Sequence, residues 1–467
     1  DFTTYVAVGN SLTAGYMDGT VSRGSQVNSY PNLLAQQFAL VGGGAFTQPS
    51  YADDVSGFGG LKLYGNIISG TRRVIDASVG GVEYIGGTAS VSGPVDIEVS
   101  NLQATAYNNM GVPGAKSFHL LAPGYGNIAG VALGQSNPYF VRHATSPSAT
   151  VLGDAMSKNP TFFTNWIGAN DVLAYATNGG AQANGVTPAV DQTGNMDVTT
   201  YGSNDITDPS AFAFTYNLII NGGTHPSLGP ITGLTSNGAK GVVATIPSVT
   251  SIPYFTTVPY APLTAAGLGR SVLPSGTAAE QTTAGAALMN QLNAELYNNL
   301  DAVFTALGEP NRVNPLNPNV ANPLLIHDVD AADRSAQISG ALQMQGVPAI
   351  QANVIGATFG KARQTTSADL VVLPASGIIG SVNATATGNP VLVAISAVNT
   401  GVSYPMENKW VLTSNEKAKV ATATASYNNS IRSIAASKGL AVADMNLILN
   451  QLVNGLQIET GQIYTAN

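Results

Sequence analysis

The sequence predicts an α/β fold built on a parallel sheet wound on both faces. Three observations carry this expectation. Short apolar runs recur along the chain at Tyr5–Val8, Phe162–Ile167, Lys240–Ile246 (KGVVATI) and Leu440–Met445 (LAVADM). Strands buried on both faces of a parallel sheet read as such runs. Helical patterns alternate with them, as crossover connections require. Finally, three turns rich in small and polar residues, at 9–12 (GNSL), 109–115 (NMGVPGA) and 168–171 (GAND), each lead into a helix. In a doubly wound sheet these turns share the carboxyl edge, where ligands bind.

Composition narrows the class. The chain has 467 residues, 44% hydrophobic, enough for a large core. Only 9% are charged, against about a quarter in ordinary globular proteins. Ser, Thr, Asn, Gln and Gly must therefore cover the surface, a composition that suits an exported protein. The net charge of −8 and the lack of a Lys/Arg cluster leave no nucleic-acid footprint and no basic patch for an anionic membrane. Without cysteine there is no disulfide and no thiolate zinc site. No apolar run is long enough to span a bilayer. The chain begins at Asp1 almost directly on its first strand, which reads as a processed N-terminus.

In chain order, Tyr5–Val8 is a strand, Gly9 and Asn10 punctuate it, and Leu12–Ala14 starts a helix. Residues 28–41 form an amphipathic helix capped by Ser29, with Leu34, Phe38 and Val41 on one face. Residues 55–105 are glycine-rich with short β-rich runs (Gly60–Tyr64, Val82–Ile85, Val95–Val99), a β-rich insertion. Residues 106–122 read as a turn followed by a helix from Lys116 to Ala122. A strand at Phe162–Ile167 leads through a turn into a helix over Val172–Ala176. Residues 177–210 read as a loop insertion. A helix at 211–221 and the strand at Lys240–Ile246 follow. Residues 277–306 place Leu288, Leu292, Leu296, Leu300 and Phe304 at four-residue steps, a surface helix packed on the sheet. Pro323–Asp328 is a strand, 334–410 a candidate insertion, and Leu370–Pro374 a further strand or an inserted β piece. The last long helix spans 413–438 with Ser414 as cap. The strand Leu440–Met445 and a short helix at Asn446–Leu452 close the pattern.

Ser11 is the candidate nucleophile. A strand turning sharply into a helix exposes its turn residue, and the helix N-terminus offers free N–H groups and partial positive charge to a developing anion. Serine is equally a favoured helix cap. Gly114 and Asn170 by themselves read as ordinary turn residues.

The three turns, taken together and in this order, resemble the SGNH branch of the GDSL hydrolases. The opening FTTYVAVGNSLTAGY and the stretch KGVVATIPSVTSIPYF are similar to large exported lipoprotein-type members from Gram-negative bacteria. The resemblance covers residues 1–50, 106–176, 240–256 and about 410–450. It implies one domain on a flavodoxin-like three-layer sandwich, a serine esterase or lipase acting through an acyl-enzyme, and no cofactor or metal. Ser11 is then the catalytic nucleophile, with Gly114 N–H and the Asn170 amide in the oxyanion hole. The substrate is a lipid ester or an acetylated carbohydrate. The implied location is the outer membrane or cell surface, through a lipid anchor upstream of Asp1.

Two departures stand out. Asn10 replaces the Asp of the GDSL block and can brace the same turn. The family's last block, D-x-x-H, which supplies the general base, is not found. Serine is a poor nucleophile without a base. His119, His143, His225 and His327 all lack an Asp three residues before them. LAVADMNLIL resembles the strand and helix that precede that block, so the block is expected beyond Asn467. A second reading keeps the fold as a non-catalytic surface subunit for binding or assembly.

Other motifs are weak. Asp328, Asp330 and Asp333 resemble a calcium loop without its glycine and closing Glu, and read as a solvated acidic turn. Tyr30, Trp166, Tyr175 and Tyr254 read as pocket lining or as packing.

Overall fold

The computed structural model describes residues 1–73 and 94–465. Its centre is a five-stranded sheet of β1 (Tyr5–Gly9), β2 (Asn109–Gly111), β3 (Phe162–Trp166), β4 (Lys240–Ala244) and β5 (Ala441–Ala443), all parallel, in the order β2-β1-β3-β4-β5. The framework helices are α1 (Ser11–Ala14), α2 (Tyr30–Ala39), α3 (Val151–Ser157), α4 (Asn170–Thr177), α5 (Pro209–Asn221), α6 (Ser414–Ser437) and α7 (Met445–Asn454).

The layers follow from crossover handedness. The first crossover moves one way along the sheet and the later ones the other way, so right-handed connections put their helices on opposite faces. On one face Tyr5 and Ala7 meet Ala35, Leu34 and Phe38 of α2. On the other, Val6, Val8 and Phe163 belong to the large core with Leu152 of α3, Phe212 of α5 and Ile431 of α6. The sheet is thus a three-layer α/β core.

Local choices differ from the sequence expectations in several places. Asn109–Gly111 is a strand, not part of a turn; pairing with β1 imposes it on residues of low β propensity. The segment after it is a 3₁₀ turn, Ser117–Leu121. Ser29 stands at the N-cap of α2, but its hydroxyl goes to Gln48 Oε1 at 3.1 Å. Val41 lies past the helix end and is exposed. Thr413, not Ser414, caps α6, forming a capping box with Glu416.

In the 55–105 insertion, Leu61–Leu63 and Asn66–Ser69 form a hairpin, whereas Val95–Val99 contributes only a bridge between Lys62 and Glu98. Val82–Ile85 lies outside the described residues. The insertion packs through Leu61, Leu63, Ile97 and Val99 against Ala14 and Tyr139. Residues 177–210 have little regular structure but are ordered around Asp205. Its carboxylate accepts the N–H groups of Val190 (2.8 Å) and Gly202 (2.7 Å) and the amides of Gln182 and Gln192.

The helix expected at 277–306 packs away from the sheet, mainly on helices Ala265–Val272 and Ser335–Met344. It carries a π segment at Asn293–Tyr297. Apolar residues at four-residue steps drift around a 3.6-residue helix, and a wider turn corrects the drift. Residues 334–362 are two helices, Ser335–Met344 and Ala349–Phe359. Leu370–Val371 is an inserted β piece paired antiparallel with Val411–Leu412.

Candidate functional site

Strand register fixes where the three turns leave the sheet. Gly9 of β1 aligns with Gly111 of β2 on one side and Trp166 of β3 on the other. The first crossover leaves β1 toward β2 and the next returns past it to β3, so the order reverses between β1 and β3. That reversal is where doubly wound sheets bind ligands.

At the first turn the cap is Asn10, not Ser11. Asn10 is buried and its Oδ1 accepts the Leu12 N–H at 3.2 Å. Ser11 is the first residue of α1, half-buried, and its hydroxyl makes no hydrogen bond among the described residues. Its N–H has no acceptor within the helix. The bracing role expected of Asn10 is the one it performs, and Ser11 is not needed for capping.

α1 packs tightly on β2. A side chain at Gly111 would start 2.2 Å from the Ala14 nitrogen. Asn109 Nδ2 donates to Thr13 O at 2.9 Å, and Val112 N–H donates to Gly9 O at 3.0 Å. Glycine at 111 is therefore what lets the first helix sit against the second strand.

The second turn is Val112–Ala115. Ala115 N–H donates to Val112 O at 3.1 Å, and Gly114 has φ +80°. Pro113 followed by Gly114 is the type II signature. Gly114 is exposed, with Asn137 Nδ2 beside it; that amide donates to Pro113 O at 2.7 Å and holds the turn.

The third turn reaches the second directly. Asn170 Nδ2 donates to Ala115 O at 2.8 Å. An amide nitrogen carries two hydrogens, so one remains for another acceptor. Asp171, fully buried, accepts the Ser117 N–H at 2.9 Å and the Ser117 hydroxyl at 2.8 Å. Burial pushes its carboxyl above the usual range, opposed by the Ser117 bonds and Lys116. Lys116 is buried too and donates from Nζ to Asp205 O at 2.7 Å; burial lowers its ammonium, while Asp171 and Asp205 oppose this. Sequence reading missed Asp171, Ser117 and Lys116. The available signal was two acids and a lysine in a chain with few charges.

None of the four histidines is hydrogen-bonded to Ser11 among the described residues. His119 accepts the Lys116 N–H at Nδ1 (3.1 Å) and stacks on Tyr125 at 4.6 Å; burial, then Lys116, lowers it to about 4. His143 is buried against Phe140 and Tyr107, its Nδ1 has no hydrogen-bond partner among the described residues, and burial lowers it to about 3. His225 follows α5 and precedes β4, at the amino edge opposite Ser11, and accepts from Ser227 and Leu228 N–H. His327 ends a short strand paired with Ala362–Gln364, and burial lowers it.

Tyr30 and Trp166 sit 5.6 Å apart, with Tyr30 Oη 3.1 Å from Thr13 Oγ1. Tyr175 is core, and Tyr254 donates to Thr177 O. Asp328 is not a solvated turn residue: it is buried and paired with Arg363 at 2.5 Å. Among the described residues no cluster of His, Asp and Glu has the geometry to hold a metal.

No protein-family model, no curated protein and no solved structure matches this chain.

Proposed function

We propose that this chain is the body of a serine ester hydrolase of the SGNH type on a flavodoxin-like sheet. One observation carries the reading: Gly9, Gly111 and Trp166 stand at one level of three adjacent strands. Ser11, Gly114 and Asn170 therefore leave the same edge, at the reversal of strand order, with the last two joined through Ala115. The strand order 2-1-3-4-5 is that of flavodoxin-type sheets.

Ser11 Oγ attacks an ester carbonyl while the base takes its proton; the ester C–O bond breaks, the alcohol leaves with that proton, and water then hydrolyses the acyl-enzyme to the free acid and regenerates Ser11. The carbonyl oxygen gains charge and meets the N–H groups of Ser11 and Gly114 and the free hydrogen of the Asn170 amide. Preorganised donors of this kind are often the largest single contribution to acyl transfer. The family's base is the His of a D-x-x-H block, which none of the four histidines of this sequence provides, so the reading requires such an imidazole in the encoded protein. Substrates are lipid esters or acetylated glycans, and the protein is exported to the outer membrane or cell surface, with an N-terminal lipid anchor.

The test is hydrolysis of short p-nitrophenyl esters by the intact encoded protein. Ser11→Ala should abolish it, and retained activity removes the reading.

A second reading draws on a specific observation: among the described residues no imidazole is bonded to Ser11. In it the chain is a binding or assembly subunit that keeps the scaffold. An encoded sequence with no D-x-x-H after Asn467 favours it.

A further inference from the structure

A cavity of ≈ 430 Å³ lies outside the three turns, between Leu296, the helices Asn298–Ala306, Ser335–Met344 and Ala349–Phe359, and the short helix Pro390–Ala394. Its walls are aliphatic: Leu300, Ile338, Leu342, Ile355 and Val391. Its size falls within the range of small-molecule sites, about 300–1,000 Å³. Apolar cavities stay dry and take apolar guests.

The surroundings define the guest. Met344 is 86% exposed, Ile350 79% and Val393 50%, each next in sequence to a lining residue. Glu295 is the one charged residue in the described lining, with carboxamides from Gln345 and Gln351 beside the walls. Its carboxylate is exposed and is bonded only to Gln291 Nε2, at 2.9 Å. Among the described residues no lysine or arginine lines the cavity to receive an anion.

We propose that this cavity binds the hydrocarbon chain of a single-chain amphiphile whose head group is uncharged or cationic. The chain fills the aliphatic walls, and the head stays in water beside Glu295. An anionic head is disfavoured by the like charge.

Isothermal titration calorimetry of the full protein with hexyl- and decyltrimethylammonium and with decanoate, all below their micelle concentrations, tests this. Saturable one-to-one binding of decyltrimethylammonium is expected. It should be tighter than the hexyl compound by about fourfold per additional buried methylene. Decanoate should bind several-fold more weakly, with the gap closing in high salt. Leu342→Trp, which fills the cavity, should abolish binding while thermal unfolding stays cooperative. Glu295→Lys, on the surface and safe for folding, should reverse the head-group preference. No saturable binding, or unchanged binding in a folded Leu342→Trp variant, overturns the proposal. A preference for decanoate in the unmodified protein, or a preference for decyltrimethylammonium that Glu295→Lys leaves unchanged, overturns its charge selectivity. None of these readings depends on Ser11 or on hydrolysis.

Discussion

Asp171 accepts both the backbone N–H and the hydroxyl of Ser117, tying the third turn to the segment just after the second across 54 residues of sequence. The bond pair lies beside Asn170, whose amide donates to Ala115 O at 2.8 Å. Asp171→Ala leaves a buried N–H and hydroxyl unpaired and is expected to cost about 2–5 kcal/mol. Urea unfolding measures this. Unchanged stability shows that the two turns are held by other contacts.

Asn170→Ala removes the bond to Ala115 and the proposed oxyanion donor together. Turnover of p-nitrophenyl acetate by the intact protein is expected to fall by about 10²–10³. Stability should drop by only about 1 kcal/mol, the net worth of one hydrogen bond. A turnover loss no larger than the stability loss implies assigns Asn170 a structural role alone.

Gly114→Ala forces an L side chain to φ +80° although the space beside it is open, since the nearest atom to a new Cβ is 3.8 Å away. The expected cost is about 1–2 kcal/mol from backbone strain, with no steric clash. Thermal unfolding reads the strain. A neutral result means that the turn relaxes to another type.

Glu416 is buried at the start of α6, where its carboxylate accepts Asn408 Nδ2 at 3.0 Å and the Thr413 N–H at 2.8 Å. Burial outweighs these bonds and raises its pKa from 4.5 to about 7. The folded state therefore holds its proton where the unfolded state has lost it. Stability from this group is present below pH 4.5 and declines as pH rises toward about 7. The decline amounts to roughly 3 kcal/mol at most. Glu416→Gln, which mimics the protonated form, should flatten the fall of unfolding free energy across that window. An equal slope in both proteins removes Glu416 as its source.

Asn428 on α6 bonds both backbone groups of Ile246, accepting its N–H at 2.7 Å and donating to its carbonyl at 2.9 Å. Asn446 also donates to that carbonyl, at 3.1 Å. Asn428→Ala should therefore strand the N–H more than the carbonyl, and cost about 1–3 kcal/mol. Hydrogen exchange at the Ile246 amide is the direct measurement. Full protection in the variant contradicts the assignment.

Local pattern determined much of the framework. The apolar side chains of Tyr5–Val8, Phe163 and Val243–Ala244 write the burial of their strands locally, whereas buried Thr164 and Asn165 do not. Pro113-Gly114 specifies its turn because Pro presets one dihedral and only Gly takes the next cheaply. Tertiary structure decided the rest. Asn109–Gly111 is a strand because β1 offers it a ladder; nothing in Asn-Met-Gly asks for one. The helix at 278–306 leaves the sheet because its apolar stripe fits other helices, and a stripe does not name its partner. Asp171, Ser117 and Lys116 look like ordinary loop polarity until burial removes water and leaves Asp171 to pair with Ser117 and Lys116 with the Asp205 carbonyl. Sequence carries the periodicity and conformational limits of each segment, which are local. Which segments meet, and so which polar groups must satisfy one another, depends on long-range packing that no single stretch encodes.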